Sequence, residues 1–236
     1  MNQNKHFIER RDFLKLGVTG AFGVMLTASD LLWRVQSAKA AESPQSLSPD
    51  AALQKLIEGN ERFVQHQPQY PDQSAVRLQE VAQAQHPFAT VLTCADSRVP
   101  VEIVFDQGVG DIFDVRIAGN IATPEARGSI EYAVTLLGTP VLMVLGHERC
   151  GAVTAAVQKQ KLPGDIGTFV KAIKPAVARV KDRPGDPVEN AVVANVQYQI
   201  EQLQRSQLLS EQLKSGKLKI VGGRYDLDTG KVTIVA

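Results

Sequence analysis

Apolar residues change their spacing along this chain in a way that separates helices from strands. Leu53, Leu56, Ile57, Phe63 and Val64 fall mostly three or four positions apart, which predicts a helix with one apolar face. Ser48 stands where its cap belongs and Pro49 at its first position. A second helix is expected over residues 76–84. The rhythm then shifts to short aliphatic and β-branched runs at 88–93, 112–117 and 140–145, which predict three strands. Between the second and third, Ile130, Ala133, Val134 and Leu137 return to helical spacing, giving a crossover long enough for parallel pairing. Residues 152–160, 167–181 and 187–214 read as helices, with Pro175 kinking or splitting the middle one. Residues 217–225 and 231–235, on either side of Asp228-Thr229-Gly230, predict a hairpin. The expected fold is α/β: a mostly parallel central sheet flanked by helices, with an N-terminal helical arm and a C-terminal antiparallel hairpin.

The first 40 positions follow a different logic. Arg10-Arg11-Asp12-Phe13-Leu14-Lys15 is a twin-arginine motif, followed by an apolar stretch over 16–28 and the small-residue site Ser37-Ala38-Lys39-Ala40. The stretch is shorter than the roughly 20 apolar residues that span a bilayer. Residues 1–40 are therefore expected to be a twin-arginine export signal removed after Ala40, with membrane contact only during export and the periplasm as destination; a signal kept as a tether is the alternative reading. Residues 41–49, rich in Ser and Pro, read as a linker, and 50–236 as one catalytic domain.

Composition narrows the chemistry. Lys and Arg total 26 against 25 Asp and Glu, so no basic field recruits nucleic acid. With two cysteines and four histidines in the whole chain, a soft-metal site has few residues to draw on. Both cysteines nevertheless fall at predicted strand ends: Cys94-Ala95-Asp96-Ser97-Arg98 follows the first strand and His147-Glu148-Arg149-Cys150-Gly151 the third. In open parallel sheets the carboxyl ends of the strands are where ligands bind, and neighbouring strands would unite Cys94, His147 and Cys150 there. Two thiolates and an imidazole are the donor set of a catalytic zinc with an open fourth position. By cysteine count alone a disulfide is the competing reading for an exported protein. The Asp96 and Arg98 pair at the same edge favours metal.

Cys-Ala-Asp-Ser-Arg-Val-Pro at 94–100 and His-Glu-Arg-Cys-Gly-Ala at 147–152 resemble the two signatures of β-class carbonic anhydrases. Residues 56–63 resemble that family's helical entry segment, and 105–120 its intervening motif. The resemblance implies one zinc per chain on Cys94, His147 and Cys150. Asp96 is then either a fourth ligand in a closed state or the partner of Arg98 in an open one. It also implies that Gln85 contacts substrate, and that Phe113, Ala118, Tyr132 and the Gly151 backbone line a narrow pocket for CO2. In the family part of that wall comes from a neighbouring subunit, so a homodimer or higher oligomer is implied. Some members hold bicarbonate on a tryptophan, an arginine and a tyrosine; Arg116 and Tyr225 stand near two of these positions, but the tryptophan position is Val91.

The implied reaction is reversible hydration of CO2 to bicarbonate and a proton by zinc-bound hydroxide, with Asp96 and Arg98 as catalytic residues. Two thiolates cancel the charge of the metal, so water on it should be less acidic than with three imidazoles, and activity should climb over roughly pH 7.5 to 9. Two alternatives stay open: hydrolysis of CS2 or carbonyl sulfide on the same site, and a non-catalytic periplasmic zinc or redox module.

Overall fold

The computed structural model describes residues 47–236. The twin-arginine motif, the cleavage position after Ala40 and most of the 41–49 linker lie outside the described residues. Helix α1 (Pro49–Val64) begins as its sequence requires, with the Ser48 hydroxyl accepting the Ala51 N–H at 3.2 Å. It buries Ala52 and Leu56. At Gly59 it lies so close to the chain that an added Cβ would stand 1.8 Å from the Phe105 carbonyl oxygen. Beside it the Asn60 amide donates to the Val104 and Gly230 carbonyls, and its oxygen accepts from the Val232 N–H. One buried side chain thus ties the N-terminal arm to the C-terminal hairpin.

The core is a five-stranded sheet. Its strands are β1 (Ala89–Thr93), β2 (Ile112–Arg116), β3 (Val141–His147), β4 (Lys219–Tyr225) and β5 (Val232–Ile234), in the order β2-β1-β3-β4-β5. All pairs are parallel except β4 with β5. Every residue of β1 and β3 is buried, which explains why both read as unbroken apolar runs rather than alternations. Helix α4 (Pro124–Thr135) carries the chain from β2 across β1, so β2 and β3 flank β1 instead of pairing with each other.

The remaining helices are α2 (Ala75–Val81), α3 (Val101–Val104), α5 (Gly151–Val157), α6 (Ile166–Arg179), α7 (Pro187–Gln204) and α8 (Gln207–Lys214). Two sequence expectations are corrected here. Pro175 does not split α6, which runs through it. Pro175 and Lys171, whose carbonyl it leaves without a helical donor, are both exposed, so water can satisfy that group. The single helix expected over 187–214 is two. Ser206 ends the first and caps the second, accepting from the Leu209 N–H while donating to Glu131 on α4, and the bend buries Leu209. Uninterrupted helical propensity on both sides hid this break. The one-turn α3 was also missed; it sits behind Pro100 and buries Val101 and Val104.

Helix α7 reaches the sheet because glycines leave room. A Cβ at Gly146 of β3 would lie 2.7 Å from Val196, and one at Gly222 of β4 2.6 Å from the same side chain. That contact fixes the height of α7 above the carboxyl end of β3.

Asp114, on the edge strand β2, has one carboxylate oxygen buried without a partner among the described residues. Burial, with repulsion from Glu102, pushes its carboxyl up to about 7 against the pull of Arg116. A raised carboxyl binds more protons folded than unfolded between about pH 4 and 7, so stability falls as pH rises through that window. Asp114→Asn should raise the melting temperature at pH 8 and change it much less at pH 5. Equal shifts at both pH values in thermal melts would refute a protonated Asp114.

Candidate metal centre

The register of the two central strands sets the site. Thr93 of β1 lies level with Leu145 of β3, so the residue after β1, Cys94, emerges beside the last two residues of β3, Gly146 and His147. Beyond His147 the chain turns through Arg149, whose φ of 49° is left-handed, and enters α5 with Cys150 at the cap position. The turn is held from the hairpin side. Glu148 accepts from the Leu227 N–H and pairs with Arg224, and the Arg149 guanidinium makes a two-point pair with Asp228. Cys150 and His147 therefore face the same point as Cys94.

The donor atoms of Cys94, His147 and Cys150 lie within 4.8 Å of one another, and the two sulfurs are 4.0 Å apart. His147 Nδ1 is 2.8 Å from the Glu148 carbonyl oxygen. That contact puts the ring proton on Nδ1 and leaves Nε2 free as a donor atom; Nε2 is buried and has no hydrogen-bond partner among the described residues. An orphaned imidazole nitrogen aimed at two cysteine sulfurs is costly unless a metal takes it up.

Electrostatics agree. The hydrogen bond from Cys150 pulls the Cys94 thiol well below its ordinary value despite burial, with His147 and the Gly119 and Asp96 N–H groups adding to the effect. Cys150, facing that thiolate and buried, is pushed up. A dication held between the two sulfurs would favour the thiolate form of both. Burial alone would lower the His147 pKa, but Cys94, the Glu148 carbonyl and Asp96 together raise it.

Asp96 lies at the rim, its Oδ2 3.9 Å from His147 Nε2. Arg98 grips it in a two-point pair, Nε to Oδ1 at 2.9 Å and a terminal nitrogen to Oδ2 at 2.8 Å, and the Arg98 backbone N–H adds a third bond at 3.0 Å. That side-chain pairing holds the Asp96 carboxyl well below the carboxylate range. Arg116 supports the same loop by donating to the carbonyls of Cys94 and Asp96. Val91, which stands at the tryptophan position of the family's bicarbonate trio, is wholly buried in the core.

Around the donors, Ala118 packs at the edge of the buried cluster containing Cys94, Cys150, Ala152 and Val153, and Gly151 opens α5 next to Cys150. The other three sequence candidates are elsewhere within a single chain. Gln85 is exposed before β1, at the opposite edge of the sheet from Cys94. Phe113 lies level with Thr90, about 13 Å along the strand direction from the level of Cys94, and its ring pairs with that of Tyr132 at 6.2 Å. Residues that sequence reading missed are backbone and amide groups: the Gly119 N–H on the Cys94 sulfur at 3.3 Å, and Asn195 and Gln199 behind it.

A soft Cys2His cluster at the carboxyl edge of a parallel sheet, with an arginine-held carboxylate beside it, is the donor set of a catalytic zinc centre with an open fourth position. The family model for carbonic anhydrase matches residues 89–232. Carbonic anhydrase 2 of Mycobacterium tuberculosis (strain H37Rv) is 42% identical over 192 residues, 79% of this chain and 93% of the relative. The carbonic anhydrase of Synechococcus elongatus is 33% identical over 195 residues, 76% of this chain and 70% of its own. Among solved structures, the β-carbonic anhydrase CcaA superposes with a TM-score of 0.63 at 28% identity, covering 77% of this chain and 94% of its own. One of two tetrameric β-carbonic anhydrases from Sordaria macrospora gives 0.63 at 25% identity, covering 66% and 84%. The chain belongs to the β-class carbonic anhydrase family, whose cofactor is zinc.

Removing one donor should dismantle the centre. Wild-type protein is expected to hold about one zinc per chain, and Cys150→Ser to lose most of it, with a fall in melting temperature as the metal's binding energy is lost from folding. Full zinc content in Cys150→Ser by elemental analysis would exclude this donor set.

Proposed function

We propose that the chain is a zinc-dependent enzyme that interconverts CO2 with bicarbonate and a proton, working as a homo-oligomer in the periplasm after twin-arginine export. The observation that carries the reading is the two-point hold of Arg98 on Asp96 beside three convergent soft donors. A storage site or a redox pair has no use for a carboxylate restrained in this way.

Cys94, His147 and Cys150 would hold zinc, which supplies the acidity that yields hydroxide from water near neutral pH. The two thiolates offset the charge of the dication, so the working range lies above neutral pH. Arg98 keeps the Asp96 carboxylate as a fixed acceptor at the rim, placed so that it would take a hydrogen bond from the reacting water. Because that carboxyl sits well below the carboxylate range, Asp96 stays ionised throughout the working range and keeps no product proton. Ala118, Ala152 and Val153 pack beside the donors as apolar neighbours, which suits a small uncharged substrate.

Gln85, Phe113 and Tyr132 lie away from the donors within one chain, which suits the family's pattern of a pocket completed by a neighbouring subunit. Tyr132 is 44% exposed, and Ile103 and Val109 are exposed too, apolar surface of the kind that a second copy covers. The tetrameric Sordaria relative supports assembly. Export rests on Arg10, Arg11 and the small-residue site ending at Ala40.

Stopped-flow CO2 hydration at pH 8 by zinc-loaded mature protein tests the reaction, with CS2 and carbonyl sulfide run in parallel. Arg98→Ala is expected to keep its zinc and lose ~100-fold in kcat/KM. Turnover of CS2 or carbonyl sulfide with none of CO2 would assign the site to those substrates, and wild-type hydration in Arg98→Ala would leave the pair a structural one. For localisation, Arg10→Lys with Arg11→Lys should retain active enzyme in the cytoplasm. Periplasmic recovery of that double variant would overturn the export reading.

A further inference from the structure

Two amide side chains lie in the apolar layer between α7 and the sheet. Asn195 is fully buried and Gln199 nearly so, among Val192, Val196, Ile200 and Leu203 of the same helix. Packing alone does not call for them. A buried amide is tolerated only when its hydrogen bonds are made, so two of them in an apolar layer call for partners that need them.

Their bonds all lead to one loop. Asn195 Nδ2 donates to the Gly119 carbonyl at 2.9 Å, and Asn195 Oδ1 accepts from Gln199 Nε2 at 3.0 Å. Gln199 Oε1 accepts from the Ala122 N–H at 2.9 Å. Each amide fixes the orientation of the next, and the pair brackets the loop at residues 119 and 122. Within that bracket Gly119 has a left-handed φ of 74°, and a Cβ there would lie 2.6 Å from Ile173 and 3.1 Å from Ala152. The loop is therefore pressed as bare backbone between α5 and α6. In this posture the Gly119 N–H donates to Cys94 Sγ at 3.3 Å.

We propose that Asn195 and Gln199 are positioning residues of the metal centre, acting through the loop to hold the Gly119 N–H on the Cys94 sulfur. The proposal rests on the reading of Cys94 as a zinc ligand. A hydrogen bond to a ligand sulfur draws charge from it, weakens its donation and leaves the metal a stronger acid. The amides thereby set how acidic the water at the site becomes, from a helix that supplies no ligand. This bond works against the two thiolates, which make the metal less acidic.

The test uses the full mature chain loaded with Co2+, whose sulfur-to-metal charge-transfer band reports donation by the thiolates. Asn195→Leu and Gln199→Leu are compared with Asn190→Ala, a change on the same helix that removes bonds to the Pro184 and Arg183 carbonyls. Both leucine variants should bind about one Co2+, shift the band to longer wavelength and move the pH midpoint of hydration upward. Asn190→Ala should leave the band in place even if its melting temperature drops. If Asn195→Leu fails to fold, Gln199→Leu reads the same band. An unmoved band in folded leucine variants, with only a lower melting temperature, would show that the amides serve packing alone. Absence of any thiolate band in the wild-type protein would instead remove both Cys94 and Cys150 as ligands, a separate failure.

Discussion

The whole centre depends on the parallel register between β1 and β3. Because Thr93 is level with Leu145, the first residue beyond one strand meets the last residues of the other. A one-residue slip would turn every side chain of β1 to the opposite face and send Cys94 away from His147. Burial on both faces makes that slip costly, since all of β1 and β3 is packed, from Ala89 and Val91 to Leu142 and Leu145. The strands at the middle of the sheet thus provide hydrophobic stability and also the precision on which a three-donor site relies. Crossover by α4 matters for the same reason: it places β2 on the far side of β1, where Arg116 can hold the loop that carries Cys94 and Asp96.

Around this frame, the polar groups divide the work. The hairpin holds the Glu148–Arg149 turn and so orients His147 and Cys150. Asn60 in turn ties the hairpin to α1, which gives the entry segment at 56–63 a structural task at a distance from the metal. Arg98 restrains Asp96 at the rim, and α7 braces the Gly119 loop from behind. Each is a hydrogen-bonded constraint on a backbone turn, and two of the turns carry a left-handed residue, Arg149 in one and Gly119 in the other.

Much of this was legible in the sequence for identifiable reasons. Cys94, His147 and Cys150 stood out because cysteine and histidine are scarce in this chain and two short motifs use both cysteines. Strands were legible because fully buried strands read as solid apolar runs, and the hairpin because Asp228-Thr229-Gly230 is turn chemistry. Asn195 and Gln199 were not legible: amides are common on helices, and only the folded chain brings them against residue 119. The break at Ser206 was hidden because a lone serine cap between two strongly helical stretches is a weak local signal, and the contact with Glu131 that reinforces it lies on another helix. Gln85, Phe113 and Tyr132 were named from the family resemblance alone, and Phe113 and Tyr132 pair with each other away from the donors within one chain.

The central claim is that three protein donors hold the metal and leave its fourth position to water. Zinc-edge X-ray absorption on the zinc-loaded mature protein at pH 8 measures this directly. The account predicts two sulfur neighbours, one imidazole nitrogen and one further light atom from solvent, unchanged in Asp96→Asn. A fourth protein ligand at that pH, revealed by a changed shell in Asp96→Asn, or a shell with fewer than two sulfurs, would contradict it.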